Sequence, residues 1–334
     1  MLREPIATRE SPAKRSGLRG AQISSVGSAL PRTSVANEPI GARLGVDDHW
    51  IFKRIGVRER RMAQPDERLS DLATRAAEAA LRRAGVSGAD VDLVLVGTFT
   101  QDEILPNAAP LVAAQIGAQE AGAIDLGAAC MGFLSGVSLG SAQIEAGRAE
   151  TVLVVGAEAL TRFLDMDDRR TAPLIGDGAG AVVLTPTAGA GRVGPAVLRA
   201  NDKSHDLVYM TREEMLLRMA GEETFVYAVE YLSQVTLEAL EAANLDLDQI
   251  DLFVYHQANS RIIKAVGKRL RLPASRVVDC IERFGNTSAA SIPIALDWAL
   301  QGDRLHPGER VLLASIGAGF TWGAMVVEWG EGDD

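Results

Sequence analysis

Three side chains in this sequence are of the types that covalent acyl chemistry needs. Cys130 sits in Gly127-Ala-Ala-Cys-Met-Gly-Phe133, His256 in His256-Gln-Ala-Asn259, and Asn286 in Phe284-Gly-Asn-Thr-Ser-Ala-Ala-Ser291. A thiol can accept an acyl group, while an imidazole and a carboxamide stabilise developing negative charge. A free thiol titrates near ~8.5 and needs help to react at neutral pH. The apolar, helix-like run from Leu134 to Ile144 predicts a helix N-terminus at Cys130, whose dipole and free N–H groups would favour thiolate. The small residues around the thiol let a carbonyl approach the backbone closely. Each residue alone also has a plainer reading. A cysteine among alanines and glycines packs well in a core, a lone histidine at a strand end is commonly structural, and Asn286 reads as an N-cap. Asn286-Thr-Ser fits a glycosylation acceptor as well, without a secretory signal to support it.

Composition bounds what those residues serve. At 334 residues the chain can hold two units of about 150 residues around large cores. Apolar residues make up 47% and charged residues 23%, as in a soluble globular protein. A formal charge of −10 and a pI near 5.1 argue against nucleic acid or anionic membrane as partner, so an anionic ligand must meet a local basic patch. Two cysteines and four histidines give no disulfide framework and no metal cluster. There is no long apolar run and no signal-peptide core, so the expected place is the cytoplasm, with residues 1–20 as a disordered tail.

The elements that must position the three residues are legible as alternating helices and strands. Ala21 to Pro31 reads as a strand and turn, and Asp71 to Ala84 as a helix with Ser70 as N-cap and Gly85 as terminator. Asp92 to Gly97 and Thr151 to Val155 are unbroken apolar runs, the mark of strands buried on both faces. Pro110 to Ile116 reads as helix, and Ala123 to Leu126 as a strand running into the cysteine loop. His256 closes the run Leu252-Phe-Val-Tyr255, at the carboxyl end of a strand where open α/β sheets gather functional groups. One spacing of 159 residues relates Ala80 to Ala239, Asp92 to Asp251 and Val152 to Val311. The same spacing sets Gly127-Ala-Ala-Cys130 opposite Asn286-Thr-Ser-Ala289. Two copies of one α/β unit follow, residues 21–190 and 191–334, with the two small-residue loops meeting at a pseudo-dyad.

With those motifs in hand, a resemblance becomes specific. Gly127 to Phe133, His256 to Asn259, Phe284 to Ser291 and Gly317-Ala-Gly-Phe-Thr-Trp-Gly323 resemble β-ketoacyl-acyl-carrier-protein synthase III, a thiolase-fold family, in the family's order from about Ala21 to Trp329. The resemblance implies a duplicated α-β-α-β-α architecture with two mixed sheets. It implies that Cys130 takes a primer acyl group from a CoA thioester, and that His256 and Asn286 bind malonyl-carrier protein for decarboxylation. The backbone N–H groups of Cys130 and Ala318 match the oxyanion hole. Trp50 and Arg169 match the pair that stacks on the CoA adenine, Arg54 matches a cofactor-phosphate contact, and Asn259 would support the network around the site. Val57-Arg-Glu-Arg-Arg61 adds to a basic island beside them.

Arg261, Lys264, Lys268 and Arg269 share one helical face after His256; such faces are commonly solvated surface, and the resemblance makes this one a docking site for the acidic carrier protein. Phe133 would pack beside the acyl site. Leu105 matches a position that reaches across a homodimer to close the partner's acyl pocket, and Leu there, with Ile175, suggests room for a primer larger than acetyl. The stretch from Leu198 to Gly221 is shorter than in typical relatives and would border the entrance. Gly176-Asp-Gly-Ala-Gly180 lacks the Lys-Ser/Thr of a phosphate loop and reads as a tight turn.

The resulting expectation is a decarboxylating Claisen condensation in fatty acid or polyketide initiation, with CoA thioester as substrate and no permanent cofactor. The alternatives are acyl transfer without condensation, a non-catalytic carrier-binding subunit, and a cysteine hydrolase, whose papain-like motifs the chain lacks.

Overall fold

A computed structural model describes residues 19–188, 192–201 and 204–330. Most of the tail expected over residues 1–20 lies outside them, though Arg19 and Gly20 already belong to the first strand. The first half runs β1 (Arg19–Ala29), β2 (Thr33–Ala36), α1 (Asn37–Leu44), α2 (Asp48–Ile55), β3 (Glu59–Met62), α3 (Leu69–Ala84), β4 (Leu93–Gly97), α4 (Ala108–Gln115), β5 (Gly122–Leu126), α5 (Gly132–Glu145), β6 (Val152–Glu158) and β7 (Gly178–Ala188). The second runs β8 (Val197–Ala200), β9 (Val208–Tyr209), β10 (Arg218–Met219), α6 (Gly221–Ala243), β11 (Leu252–Tyr255), α7 (Ser260–Leu270), α8 (Ile281–Phe284), α9 (Ser291–Gln301), β12 (Arg310–Gly317) and β13 (Thr321–Glu328).

Two mixed sheets result, as expected. One has the order β1-β7-β6-β4-β5 and the other β11-β12-β13-β8. β4 runs parallel to β5 and β6, and β11 runs parallel to β12, while the remaining pairs are antiparallel. Every residue of β6 and β11 is buried, which explains their unbroken apolar reading. α5 and α9 lie in the main core with residues of both sheets around them, among them Val154, Val254 and Leu313.

The 159-residue spacing recurs in the elements. It relates β4 to β11, α5 to α9, and the short 3-10 turn Ala129–Met131 to the turn Ser288–Ala290. Glycines let the two turns close on the sheets. A Cβ on Gly97 would strike the backbone of Gly132, and one on Gly156 would strike the carbonyl of Ala289. A side chain at either position would push a loop of the site off its sheet.

Helix ends depart from the local reading. α3 begins at Leu69, so Ser70 is not its N-cap. Asp102 takes over that role from a distant loop, accepting from the Leu69 N–H at 2.9 Å and the Ser70 N–H at 3.0 Å. Asp125 does the same for α4 through Ala108 and Ala109. Gly85 terminates α3 with φ 66°, as the sequence predicts. Asp177 is buried and accepts from the N–H groups of Ala63 and Thr161, and Gly178–Gly180 already pair with β6, so the run expected to be a tight turn is instead the entry and first residues of β7. Among the described residues no helix is long and apolar enough to cross a membrane.

Candidate active site

Cys130 lies in the 3-10 turn immediately before α5, at the helix N-terminus. Its backbone is held from the second half of the chain. Ser315 donates to the Cys130 carbonyl at 2.8 Å, and Gly317, at the end of β12, approaches the Cys130 N–H so closely that a Cβ would lie 3.1 Å from that nitrogen. Ala318 follows directly, which brings the chain expected to supply the second oxyanion donor to the cysteine loop. Ala129, the residue before the thiol, has φ 46°, a left-handed conformation unusual for a residue with a Cβ.

Desolvation of the thiol opposes the thiolate-favouring pull of the helix N-terminus. Burial pushes the thiol up to about 12; a hydrogen bond from Ser288 opposes that shift, and the charge of Glu158 adds to it. The cysteine residue as a whole is nevertheless partly exposed.

His256 follows β11 directly and is 2% exposed. Its N–H donates to the Ala314 carbonyl, and its Nδ1 is 2.6 Å from the Ser291 Oγ at the start of α9. Burial lowers its pKa to about 3, so the imidazole is neutral at physiological pH. Asn286 is clamped by the backbone of residues 174–176: its N–H donates to Leu174, and its carbonyl accepts from Gly176. Its Oδ1 accepts from the Ser288 N–H at 2.9 Å, and its Nδ2 donates to the Ala258 carbonyl at 3.3 Å. Asn286 is therefore not the N-cap: Thr287 holds that position in the turn Ser288–Ala290, and Asn286 accepts from the Ser288 N–H from one residue earlier.

Ser288 ties these pieces together. Its Oγ lies 3.3 Å from the Cys130 Sγ and 3.3 Å from Oε1 of Glu158, whose side chain is fully buried at the end of β6. Burial pushes the Glu158 carboxyl up to about 8, against hydrogen bonds from Thr100, the Phe99 N–H, Ser288 and Thr98. Sequence reasoning singled out neither residue. Ser288 lies in the same motif as Asn286, and Glu158 is the one charge closing an otherwise apolar strand; a buried run that ends on a carboxyl is the signal for it.

Other expected residues fall in different places. Trp50, Arg169, Gly41, Gly45 and Asp47 line an open cleft of about 540 Å³. Arg54 lies over the Trp50 ring at 4.5 Å, covering one of its faces. Much of the basic island is consumed internally. Arg60 is fully buried and donates to the carbonyls of Val35 and Pro173 and to Asn37, with burial lowering its pKa to about 10. Arg58 pairs with Asp48 at 2.6 Å, and Arg61 donates to the Pro31 carbonyl.

Asn259 is the N-cap of α7, accepting from the Arg261 N–H at 2.9 Å. Arg261, Lys264, Lys268 and Arg269 are all exposed on that helix. Phe133 is fully buried in the main core, and Ile175 is buried beside Leu160, Leu174 and Leu217, next to Asn286. Leu105 belongs to neither group and is 79% exposed. Within the stretch from Leu198 to Gly221, β9 and β10 pair as a hairpin, anchored by the Leu217 N–H on the Phe163 carbonyl.

Cys130 thus touches Ser288 of the opposite half, Asn286 holds the turn that carries Ser288 and reaches the Ala258 carbonyl, and His256 is held by Ser291 three residues further on. Comparison with known proteins agrees with that chemistry. The model for 3-oxoacyl-[acyl-carrier-protein] synthase III matches residues 124–202, and the model for its C-terminal part matches residues 240–329. The chain is 41% identical over 319 residues to β-ketoacyl-[acyl-carrier-protein] synthase III of Rhizorhabdus wittichii, covering 93% of this chain and 100% of the relative. The crystal structure of the corresponding Thermus thermophilus synthase is 42% identical, with a TM-score of 0.89 over 93% of this chain and 100% of that one. The priming β-ketosynthase of the R1128 polyketide pathway is 34% identical, with a TM-score of 0.91 over 96% of this chain and 99% of that one.

Proposed function

The chain belongs to the β-ketoacyl-[acyl-carrier-protein] synthase III family, and from that premise we propose how its residues divide the work. The enzyme condenses an acyl-CoA with malonyl-carrier protein, with loss of CO₂, at the start of fatty acid synthesis. Cys130 attacks the acyl-CoA thioester, and the tetrahedral oxyanion takes hydrogen bonds from the main-chain N–H groups of Cys130 and Ala318. CoA leaves, and malonyl-carrier protein enters the same cleft. His256 and Asn286 then bind the malonyl thioester carbonyl, so that the enolate formed on decarboxylation is stabilised before it attacks the acyl-cysteine.

The neutral histidine suits this role. With the Ser291 hydroxyl donating to Nδ1, the ring proton sits on Nε2 and is offered to the carbonyl oxygen as a donor. The observation that carries the assignment is the linkage Cys130–Ser288–Asn286, which joins the nucleophile to the carboxamide loop of the opposite half. Mass spectrometry of the intact chain after acyl-CoA, followed by CO₂ release on adding malonyl-carrier protein, tests both half-reactions. An acyl adduct on Cys130 that is lost with CO₂ release supports condensation. Transfer without CO₂ supports simple acyl transfer instead.

Trp50, Arg169 and Arg54 hold the adenine and phosphate end of CoA, and the cations of α7 meet the carrier protein. Two copies of the chain pair through β5, an edge strand that carries exposed Ile124, with exposed Ile104, Leu105 and Leu139 outside that strand. In that dimer Leu105 closes the partner's acyl pocket and admits primers larger than acetyl. Relative turnover of acetyl-, branched and longer acyl-CoAs checks this, and strict acetyl preference overturns it. Polyketide priming is the second reading, favoured by the likeness to the R1128 priming synthase.

A further inference from the structure

Glu158 closes a strand whose other residues are valine, leucine, glycine and alanine, and its carboxyl is fully buried. Placing an ionisable group there is costly unless it is used or well paired. The side-chain partners it finds are the hydroxyls of Thr98, Thr100 and Ser288 rather than a cation. Ser288 is also within 3.3 Å of the Cys130 sulfur, and its backbone is fixed at φ 50° by the bond from its N–H to Asn286. A hydroxyl carries one proton and two lone pairs, so it can donate to one of these neighbours while accepting from the other.

We propose that Cys130, Ser288 and Glu158 form a proton relay that activates the nucleophile: as the sulfur attacks, its proton passes to the Ser288 Oγ while the Ser288 proton passes to Glu158 Oε1. This rests on Cys130 being the acyl acceptor. The S–H bond breaks as the S–C bond forms. The acyl–sulfur bond of acyl-CoA then breaks, its electron pair leaving on the CoA sulfur, which takes a proton from solvent. Glu158 stays neutral while the acyl group is held, and returns its proton through Ser288 when condensation expels the Cys130 thiolate. One solvent proton is consumed per cycle, as release of CO₂ and CoA thiol from a malonyl carboxylate requires. The environment fits the order of events. A thiol pushed up to about 12 does not ionise beforehand, and a carboxyl near 8 is a far better base than a solvated one. Ser288 touches the reacting sulfur, and Glu158 acts through it.

The test is the rate of the first acylation of Cys130 by acetyl-CoA, read by rapid quench and intact mass from about pH 6 to 9.5, in the wild type, E158Q and S288A. The wild-type rate is expected to rise through the titration of the carboxyl near pH 8. Both variants are expected to lose that rise and to acylate about 100-fold more slowly at its plateau. Wild-type rates in the variants overturn the relay. So does a slower rate that keeps the wild-type pH profile, since a packing role alone would do that. If E158Q does not fold, S288A, which leaves Glu158 and its threonine partners intact, is read against the same outcomes. A wild-type chain that takes no acyl group on Cys130 overturns the nucleophile assignment and the relay together. Failure of the relay alone leaves wild-type acylation intact.

Discussion

Ala129 and Ser288 stand 159 residues apart in the chain and adopt the same left-handed backbone, with φ 46° and φ 50°. Each opens a 3-10 turn that leads into a buried helix, α5 in one case and α9 in the other. Non-glycine residues in this conformation cost about 1–2 kcal/mol, a cost borne here at the two turns that carry the thiol and the hydroxyl beside it.

Relief of that strain at Ala129 has a definite sign. A129G removes about 1–2 kcal/mol of strain against about 0.4–1 kcal/mol of added unfolded-state freedom, so it is expected to leave the melting temperature unchanged or slightly raised. A129V adds β-branching where it is least tolerated, and is expected to cost more than about 2 kcal/mol. Thermal and urea unfolding of the pair check the order.

The two buried titratable groups drive stability in opposite pH directions. His256 has a folded pKa of about 3, below its unfolded value of about 6.5, so between them the unfolded state binds more protons and stability falls as pH drops. Glu158 has a folded pKa of about 8, above its unfolded value of about 4.5, so its contribution is complete below 4.5 and is lost as pH rises through 8. H256N is expected to flatten the acid limb and E158Q the alkaline limb, each by up to about 1.4 kcal/mol per pH unit within its window. Melting curves across pH for the three proteins check both signs.

One face of Trp50 is covered by Arg54 and the cleft beyond it is bounded by Arg169. W50A and R169A are expected to raise KM for acyl-CoA about 10-fold, the loss of one stacking contact of about 1–2 kcal/mol, with kcat little changed. Acyl-pantetheine, which lacks the adenine, is the control: its kinetics should not distinguish the variants from wild type.

Reversing charge on α7 separates the two substrates. K268E with R269E is expected to raise KM for malonyl-carrier protein at least 10-fold at low salt, and to shrink the salt dependence of that KM. The rate of Cys130 acylation by acyl-CoA should be unaffected. An equal loss in both half-reactions would point to misfolding of α7.

Much of this was legible in the chain itself because its strands are buried on both faces. Leu93–Gly97, Val152–Val155 and Leu252–Tyr255 carry their apolar character without interruption, and Gly85 marks a helix end that needs positive φ. What stayed hidden depends on partners far away in sequence. Ser70 looks like a cap because the true one, Asp102, comes from another loop. Arg60 looks like surface charge because nothing local says that Val35, Asn37 and Pro173 surround it. The desolvation of Cys130 is hidden for the same reason, since a helix N-terminus is a local feature and the burial that opposes it is not.

The repeat also carries an arithmetic consequence. At the spacing that pairs the two halves, the counterpart of Cys130 is Ala289 and the counterpart of His256 is Gly97. A frame with twofold internal likeness thus offers two rotation-related stations and equips just one of them with thiol and imidazole, the other holding a methyl group and a bare backbone at those places. However much thioester is supplied, the cleft should saturate at a single equivalent of label for each polypeptide.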